Sequence, residues 1–343
     1  MTDLPSFPAA LLRTAASTLS PAGAGSRLST LIFHRVLEEP DPMHPGEVTG
    51  AEFELMLLWC KRLFNIVSMS DAVAGLRSGR LPARPLVISF DDGYADNHDL
   101  AAPLLRKFRL PATFFIATGY LDGGRMFNDD VATVVGRCAM PELDLSGLSL
   151  GRHSLASMAD RRAALARLLP AVKVLPPAQR DEVVQRIFSL AHVAPSRSLM
   201  MSSSQVAALK EQGFEIGAHT DMHPILARLD AAMALDEVQR GRRRLEEIAG
   251  LPVRFFAYPN GRPGDDFTPQ TVQLVRESGF EAAFTTTPGV ATVNTDIFQL
   301  PRFTPWDRSP LRFGLRMICN LMRTRSLTAE SAPARGAQPA WPA

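Results

Sequence analysis

Two short stretches carry residue types that could do chemistry together. The first is Ser89-Phe90-Asp91-Asp92-Gly93, two adjacent carboxylates and a glycine closing an apolar run. Neighbouring acids repel and are costly to desolvate. One reading is a bound cation, with one carboxylate as ligand and the other free to move protons. The other reading is an Asp-Gly turn whose acids cap the next helix. The second stretch is Gly217-Ala218-His219-Thr220-Asp221-Met222-His223-Pro224. Histidines four apart share a face if the segment turns helically, so both imidazoles can reach one ion. Two imidazoles and a carboxylate make a facial metal site with open positions for water and substrate. Both stretches follow strand patterns, which favours the metal over the simple turn.

The elements around them must bring distant residues to one place. The apolar run over 86–90 predicts a strand buried on both faces. Before it, the pattern predicts a helix over 9–18, a linker, and a strand over 28–33 ending in His34-Arg35. A helix over 51–63, a strand over 64–69 and a helix over 71–77 capped by Ser70 come next. A helix over 95–108 and a strand over 112–117 follow the acidic pair. Residues 128–204 change texture, with helices over 131–138, 154–168 and 178–191 read as an insertion, and a helix over 204–212 leading back. Strands over 214–218, 254–257, 282–286 and 298–300 then alternate with helices over 231–248 and 268–278. Seven or eight strands with helical crossovers predict an α/β fold, an irregular (β/α)7–8 barrel with a helical insertion. An open doubly wound sheet is the alternative. In a barrel, strand ends share one face, and both reactive stretches belong there. The expected units are a helix and linker (1–27), two barrel parts (28–127 and 205–308), the insertion (128–204), a basic amphipathic helix (309–326) and a disordered tail (327–343).

Composition narrows the function classes. Lys and Arg number 37 against 35 Asp and Glu, a net charge of +2 that gives no charge-driven case for nucleic acid. Three scattered cysteines argue against a disulfide framework and for a reducing compartment. The N-terminal residues lack a secretory signal pattern, and no run is long enough to span a bilayer. A cytoplasmic location is expected. Residues 309–326 alternate apolar and Arg positions, which suits weak peripheral contact with an anionic inner membrane, or a helix packed on the barrel with its arginines solvated.

Asp91-Asp92-Gly93 with His219-Thr220-x-x-His223 resembles the first two motifs of the polysaccharide deacetylase (NodB-homology) family, across roughly residues 28–305. The resemblance implies a TIM-like, NodB-type barrel in which Asp91 is the catalytic base. It also implies that Asp92, His219 and His223 hold a divalent metal, most often zinc, with cobalt, nickel or manganese able to substitute. The family's third motif, Arg-x-Pro-Tyr-Gly, is altered here to Ala257-Tyr258-Pro259-Asn260-Gly261. With Ala257 in the arginine position, Arg302 becomes the candidate to orient the base, against a surface salt bridge. Asn260 can still supply the backbone N–H expected at the oxyanion. Tyr258, Pro259 and Trp306 are expected beside the substrate, with Tyr258, Trp306 and Phe127 as sugar-stacking walls. Asp221 is expected behind a ligand histidine, while Asp96 and Asn97 cap the following helix.

The family's late Leu-x-His motif, source of its general acid, is absent, and no histidine follows His223. His34 at the end of the first strand takes that role in this reading. That placement is similar to the circularly permuted exopolysaccharide deacetylase subgroup, because the first and last strands of a barrel are neighbours. The implied activity is removal of acetyl groups from an oligosaccharide or polysaccharide in exopolysaccharide or cell-envelope glycan synthesis, with a lipid-linked substrate if the membrane contact exists. The alternatives are a hydrolase of the same fold acting on a small amide, and a catalytically impaired carbohydrate-binding scaffold.

Overall fold

The computed structural model describes residues 6–305 and 307–332. Its strands are β1 (Ser29–Phe33), β2 (Val36–Leu37), β3 (Val48–Thr49), β4 (Asn65–Ile66), β5 (Pro85–Phe90), β6 (Thr113–Ile116), β7 (Glu142–Leu145), β8 (Gly151–Ser154), β9 (Glu215–Ala218), β10 (Phe255–Ala257) and β11 (Ala282–Phe284). Its helices are α1 (Ser6–Leu19), α2 (Gly50–Leu63), α3 (Met69–Ser78), α4 (Ala102–Phe108), α5 (Phe127–Arg137), α6 (Met158–Lys173), α7 (Pro177–Ala191), α8 (Ser203–Glu211), α9 (Ala231–Ala249), α10 (Pro269–Glu277) and α11 (Pro310–Leu321).

Strands β1, β5 and β6 are buried along their whole length, as continuous apolar runs covered on both faces must be. The strands pair in the order β1-β5-β6-β9-β10-β11, all parallel, with β4 joining the start of β5. Residues 300–303 carry the ring from β11 back to β1. Thr285 N–H donates to Leu300 O (2.9 Å), and Phe303 N–H donates to Thr30 O (3.1 Å). The strand expected over 298–300 is therefore displaced to 300–303, and it pairs only through isolated bridges. Pro301 in its middle has no N–H to continue a ladder.

Inside the ring, Phe115, Phe255 and Phe284 pack with Val87, Ala257 and Leu300. Gly217 makes room for this layer, since a Cβ there would lie 2.3 Å from the Phe115 ring. Outside the ring, α2 buries Phe53, Met56, Trp59 and Leu63 in the main core. Side-chain caps set several helix starts, including Thr49 with Glu52 on α2 and Ser202 with Gln205 on α8. Helix α3 is capped by Ser68 rather than the expected Ser70, whose hydroxyl is instead bound to Glu215.

The insertion has its own hydrophobic cluster, built from α5, α6 and α7. It also holds an antiparallel hairpin, β7 with β8, between the helices expected over 131–138 and 154–168. Four residues, with only Leu143 and Leu145 turned inward, are too short a period-2 signal to stand out.

Helix α11 ends at Leu321, short of the expected 326, and buries Phe313, Gly314, Met317 and Leu321. Gly314 sits so close to α1 that a Cβ would lie 2.5 Å from Leu12. Much of its apolar face is thus used by the fold, while Leu311, Leu315 and Met322 stay exposed. Residues 327–332 of the expected disordered tail form a turn. Ala329 is buried there, and its N–H donates to Gln299 Oε1 (2.7 Å). The remainder of that segment lies outside the described residues. Among the described residues no helix is long and apolar enough to cross a membrane.

Candidate metal centre and its surroundings

Strand β5 delivers Asp91 and Asp92 to the ends of the parallel strands. Asp91 N–H donates to Phe33 O (2.9 Å), tying the acidic pair to the end of β1. Asp92 then takes a left-handed backbone (φ 77°), and its carbonyl accepts from Ala117 N–H just past β6 (3.2 Å). Its Oδ1 lies 3.5 Å from Nε2 of His219 and 3.5 Å from Nε2 of His223. All three donor atoms fall within 4.8 Å of one another. Ligand distances of about 2.1 Å in a tetrahedral site put donors about 3.4 Å apart, so this donor set fits one cation.

The histidines do not share a helix face, contrary to the spacing argument. Residues 219–225 form a loop in which Thr220 (φ 65°) and His223 (φ 49°) are left-handed. Such backbone costs on the order of 1 kcal/mol per non-glycine residue and persists only where contacts impose it. Thr220 Oγ1 accepts from His223 N–H (3.0 Å), and Glu237 on α9 accepts from Asp221 N–H (3.2 Å) and Met222 N–H (2.8 Å). Gly241, four residues along α9, allows the helix this close, because a Cβ there would lie 2.5 Å from Thr220 O. The Nδ1–H of His219 donates to Ala257 O (2.7 Å), which leaves Nε2 free to face a cation. Asp221 does not support either histidine. It accepts from Thr118 Oγ1 (2.7 Å) and pairs with Arg240.

Arg302 lies beside Asp91. Its two terminal nitrogens donate to Asp91 Oδ1 (2.7 Å) and Oδ2 (2.8 Å). Its Nε donates to Thr285 O (3.1 Å), Nη1 also reaches Ser89 Oγ (3.2 Å), and the guanidinium lies over the Phe115 ring. Arg302 is fully buried at the top of the barrel interior, so the surface salt bridge is excluded. The N-terminal side of the site is fixed by residues expected to be helix caps. Asn97 Nδ2 donates to His34 O (2.8 Å), and Asp96 accepts from Arg35 Nε (2.9 Å) and Val36 N–H (3.2 Å). Neither caps α4, which is entered through a π turn at Asn97–Ala101.

A cleft of about 1210 Å³ opens over this cluster, and His34, Asp91, Asp92, His219, His223 and Asn260 all line it. Asn260 is left-handed (φ 60°), its carbonyl accepts from Thr286 Oγ1 (2.6 Å), and its own N–H has no acceptor among the described residues. Phe127, at the start of α5, also borders the cleft. Tyr258 does not. It is fully buried, stacked on Phe267 at 4.1 Å, with its hydroxyl donating to Phe298 O, so it is core and not a sugar wall. Pro259 is likewise buried and absent from the cleft lining. Trp306 lies outside the described residues.

Charge is distributed unevenly here. Burial raises the pKa of Asp91, but the charge and hydrogen bonds of Arg302, with the neighbouring His219 and His34, together outweigh it and hold the group below the usual carboxylate value. Asp92 is likewise held low against burial by its histidine neighbours. Burial drives His223 down to about 3, while Asp91 and Asp92 overcome burial and raise His219. At neutral pH, His223 is thus a neutral imidazole ready to ligate. In a smaller adjoining cavity, Asp129 accepts from the Tyr94 hydroxyl (3.2 Å), and its Oδ2 has no partner. Burial, with a contribution from Asp92, pushes Asp129 up to about 7 against the pull of Arg35.

The sequence profile described as polysaccharide deacetylase matches residues 78–168 and 171–283. The chain belongs to the polysaccharide deacetylase family. The matched region contains Asp91, Asp92, His219, His223 and Asn260, and leaves His34 and Arg302 outside it. Among curated relatives, this family member is 28% identical over 102 residues to poly-beta-1,6-N-acetyl-D-glucosamine N-deacetylase of Staphylococcus aureus, covering 29% of the chain and 34% of the relative. The Staphylococcus epidermidis protein of the same name is 29% identical over 82 residues, 24% of the chain and 28% of the relative. The match thus spans only about a third of the length of these relatives. In fold, this deacetylase-family chain is similar to Streptococcus pyogenes deacetylase PplD in complex with acetate (TM-score 0.57, 16% identity, 85% of this chain and 98% of that one). It is also similar to IcaB from Ammonifex degensii (TM-score 0.56, 21% identity, 87% and 98%). The irregular parallel barrel is the fold expected for the family.

Glu237 and Gly241 hold the site in place but were not singled out from the sequence, while Asn97, expected only as a helix cap, fixes His34 O instead. Neither Glu237 nor Gly241 lies next to the acidic pair or the histidine loop in sequence. A glycine at the centre of an otherwise strong helix pattern was the one available signal, at Gly241.

Proposed function

We propose that the chain is a metal-dependent carbohydrate deacetylase that hydrolyses acetyl groups on an oligosaccharide or polysaccharide. What carries this reading is the bidentate Arg302–Asp91 pair set directly beside the Asp92, His219 and His223 donors. A pure binding site needs no oriented, ionised carboxylate next to a metal cluster. A cleft of about 1210 Å³ favours a glycan over a small cyclic amide.

Asp92, His219 and His223 would hold the divalent cation, and their one-carboxylate, two-imidazole set suits zinc. Bound there, it would polarise the acyl carbonyl and lower the pKa of a water toward about 7. Asp91, kept ionised by Arg302, accepts the proton of the attacking water. The unpaired Asn260 N–H donates to the developing oxyanion. His34, which lines the same cleft, donates a proton to the leaving nitrogen, or to oxygen if the group is an ester. The poly-N-acetylglucosamine deacetylases among the relatives make β-1,6-linked N-acetylglucosamine chains the first substrates to try. Unpaired cysteines suit a reducing compartment, and the exposed Leu311, Leu315 and Met322 suit contact with a lipid-linked substrate.

The test is acetate release from N-acetylated and O-acetylated oligosaccharides. Release by the wild type, with loss in Asp91→Asn, is expected. Release that Asp91→Asn leaves intact would reject Asp91 as base and this mechanism with it.

A further inference from the structure

Away from the metal cluster, the cleft is lined by six cationic side chains. Lys173 and Arg180 come from the insertion, Arg262 from the loop after β10, and Arg312, Arg316 and Arg323 from the C-terminal segment. The acids lining it are Asp91 and Asp92, both engaged at the centre, and Asp307, which pairs with Arg316. The other five cations have no carboxylate at ion-pair distance among the described residues. For a chain whose net charge is only +2, this is a concentration of unbalanced charge in one place.

Arg180 makes the case specific. It is 3% exposed, its guanidinium lies 4.7 Å over the Phe127 ring, and Nη2 meets the Tyr120 hydroxyl at 3.5 Å. Its Nε has no acceptor. A guanidinium this buried, with an unused donor and no counter-ion, is unfavourable until an anion arrives. Lys173 points the same way. Burial lowers its pKa, and repulsion from Arg262 and Arg228 adds to this against the pull of Asp266. A concave site of one sign focuses its field on an oppositely charged ligand, and arginines match carboxylate and phosphate oxygens in pairs.

We propose that the glycan taken by this cleft is anionic, bearing carboxylate or phosphate groups on units flanking the acetylated sugar. This rests on the deacetylase reading above and names its substrate class. The recognising residues are Lys173, Arg180, Arg262, Arg312 and Arg323.

Two readouts test it on the metal-loaded full chain. In the first, kcat/KM for acetate release is compared among a neutral N-acetylglucosamine hexamer, an acetylated hexamer with alternating uronate residues, and the neutral hexamer carrying a terminal pyrophosphate. An anionic substrate is expected to lead by about tenfold or more, and the lead should shrink between about 20 and 200 mM salt. Preference for the uronate chain assigns the charge to the polymer, and preference for the pyrophosphate assigns it to a carrier linkage. Either supports the proposal. The surface double variant Arg312→Gln/Arg323→Gln, which does not depend on tolerating a change at buried Arg180, should cut the anionic-over-neutral ratio by about fivefold or more. Arg180→Gln should cut it further. The second readout needs no chemistry: calorimetric binding of an unacetylated galacturonate hexamer against a neutral galactose hexamer. The galacturonate chain should bind tighter. Equal handling of neutral and anionic chains, or a ratio indifferent to salt, would overturn the inference and leave the deacetylase reading standing. Absence of acetate release from every substrate would sink that reading instead, and the binding comparison would still decide this one.

Discussion

Arg302 and Asp91, 211 positions apart in the chain, meet through two parallel hydrogen bonds of 2.7 and 2.8 Å inside the mouth of the barrel. The fork matches the carboxylate edge to edge, so it fixes both the charge and the orientation of Asp91. Removing it with Arg302→Met leaves a buried, unpaired carboxylate and should cost about 3–5 kcal/mol of stability. Asp91 is normally held below its unfolded pKa, so its stabilising contribution exists above that value and is lost as pH falls through the folded one. Without Arg302 its pKa must rise, and the acidic limb of the kcat/KM profile should move to higher pH. An unmoved limb would separate Arg302 from the function of Asp91.

The proposed ligand and base roles divide between neighbours, and two variants should separate them. His219→Ala removes a donor whose Nδ1–H is fixed by Ala257 O, and should abolish stoichiometric metal binding. Asp91→Asn should retain the metal while losing about 100-fold or more in turnover. Metal analysis of both proteins checks this. Metal lost from Asp91→Asn and kept by His219→Ala would invert the assignment.

Helix α9 supports the histidine loop from below. Gly241→Ala would place a Cβ 2.5 Å from Thr220 O, and backbone there cannot simply rotate away. The expected result is a stability loss of about 1–3 kcal/mol and weaker metal binding, despite the better helix propensity of alanine. Denaturant unfolding and a metal titration would show it. A more stable protein with unchanged affinity would contradict the packing argument.

Asp129 should give the protein a pH signature. Its folded pKa of about 7 lies above the unfolded value of about 3.9, so the native state holds the extra proton between them. Stability therefore falls as pH rises across about 4 to 7, by at most about 4 kcal/mol from this group. Asp129→Asn should flatten that part of the profile in metal-free protein and raise Tm most at alkaline pH. A parallel shift at all pH values would mean the carboxyl is not burdened by burial.

Much of this site was legible in the sequence, for physical reasons that particular residues make plain. The apolar run before Asp91-Asp92 and the strand before His219 announce strand ends, and barrel geometry then gathers them on one face. The pairing of Arg302 with Asp91 became thinkable because Ala257 leaves the family arginine position empty. The conformation of the histidine loop was not legible. Spacing of four suggested a helix turn, while left-handed Thr220 and His223, held by Glu237 from α9, answer to tertiary contacts. Tyr258 misled for a related reason. An aromatic beside the motif looks like a sugar wall, but its ring pairs with Phe267, nine positions on, in the core. The β7–β8 hairpin was too short to register.

The most direct test is to strip the protein of metal and follow acetate release from N-acetylglucosamine oligomers as zinc is returned. No activity at the start, recovery that saturates near one equivalent, and no recovery in His219→Ala are expected. Full acetate release by the stripped protein, or zinc-independent release by His219→Ala, would contradict metal dependence.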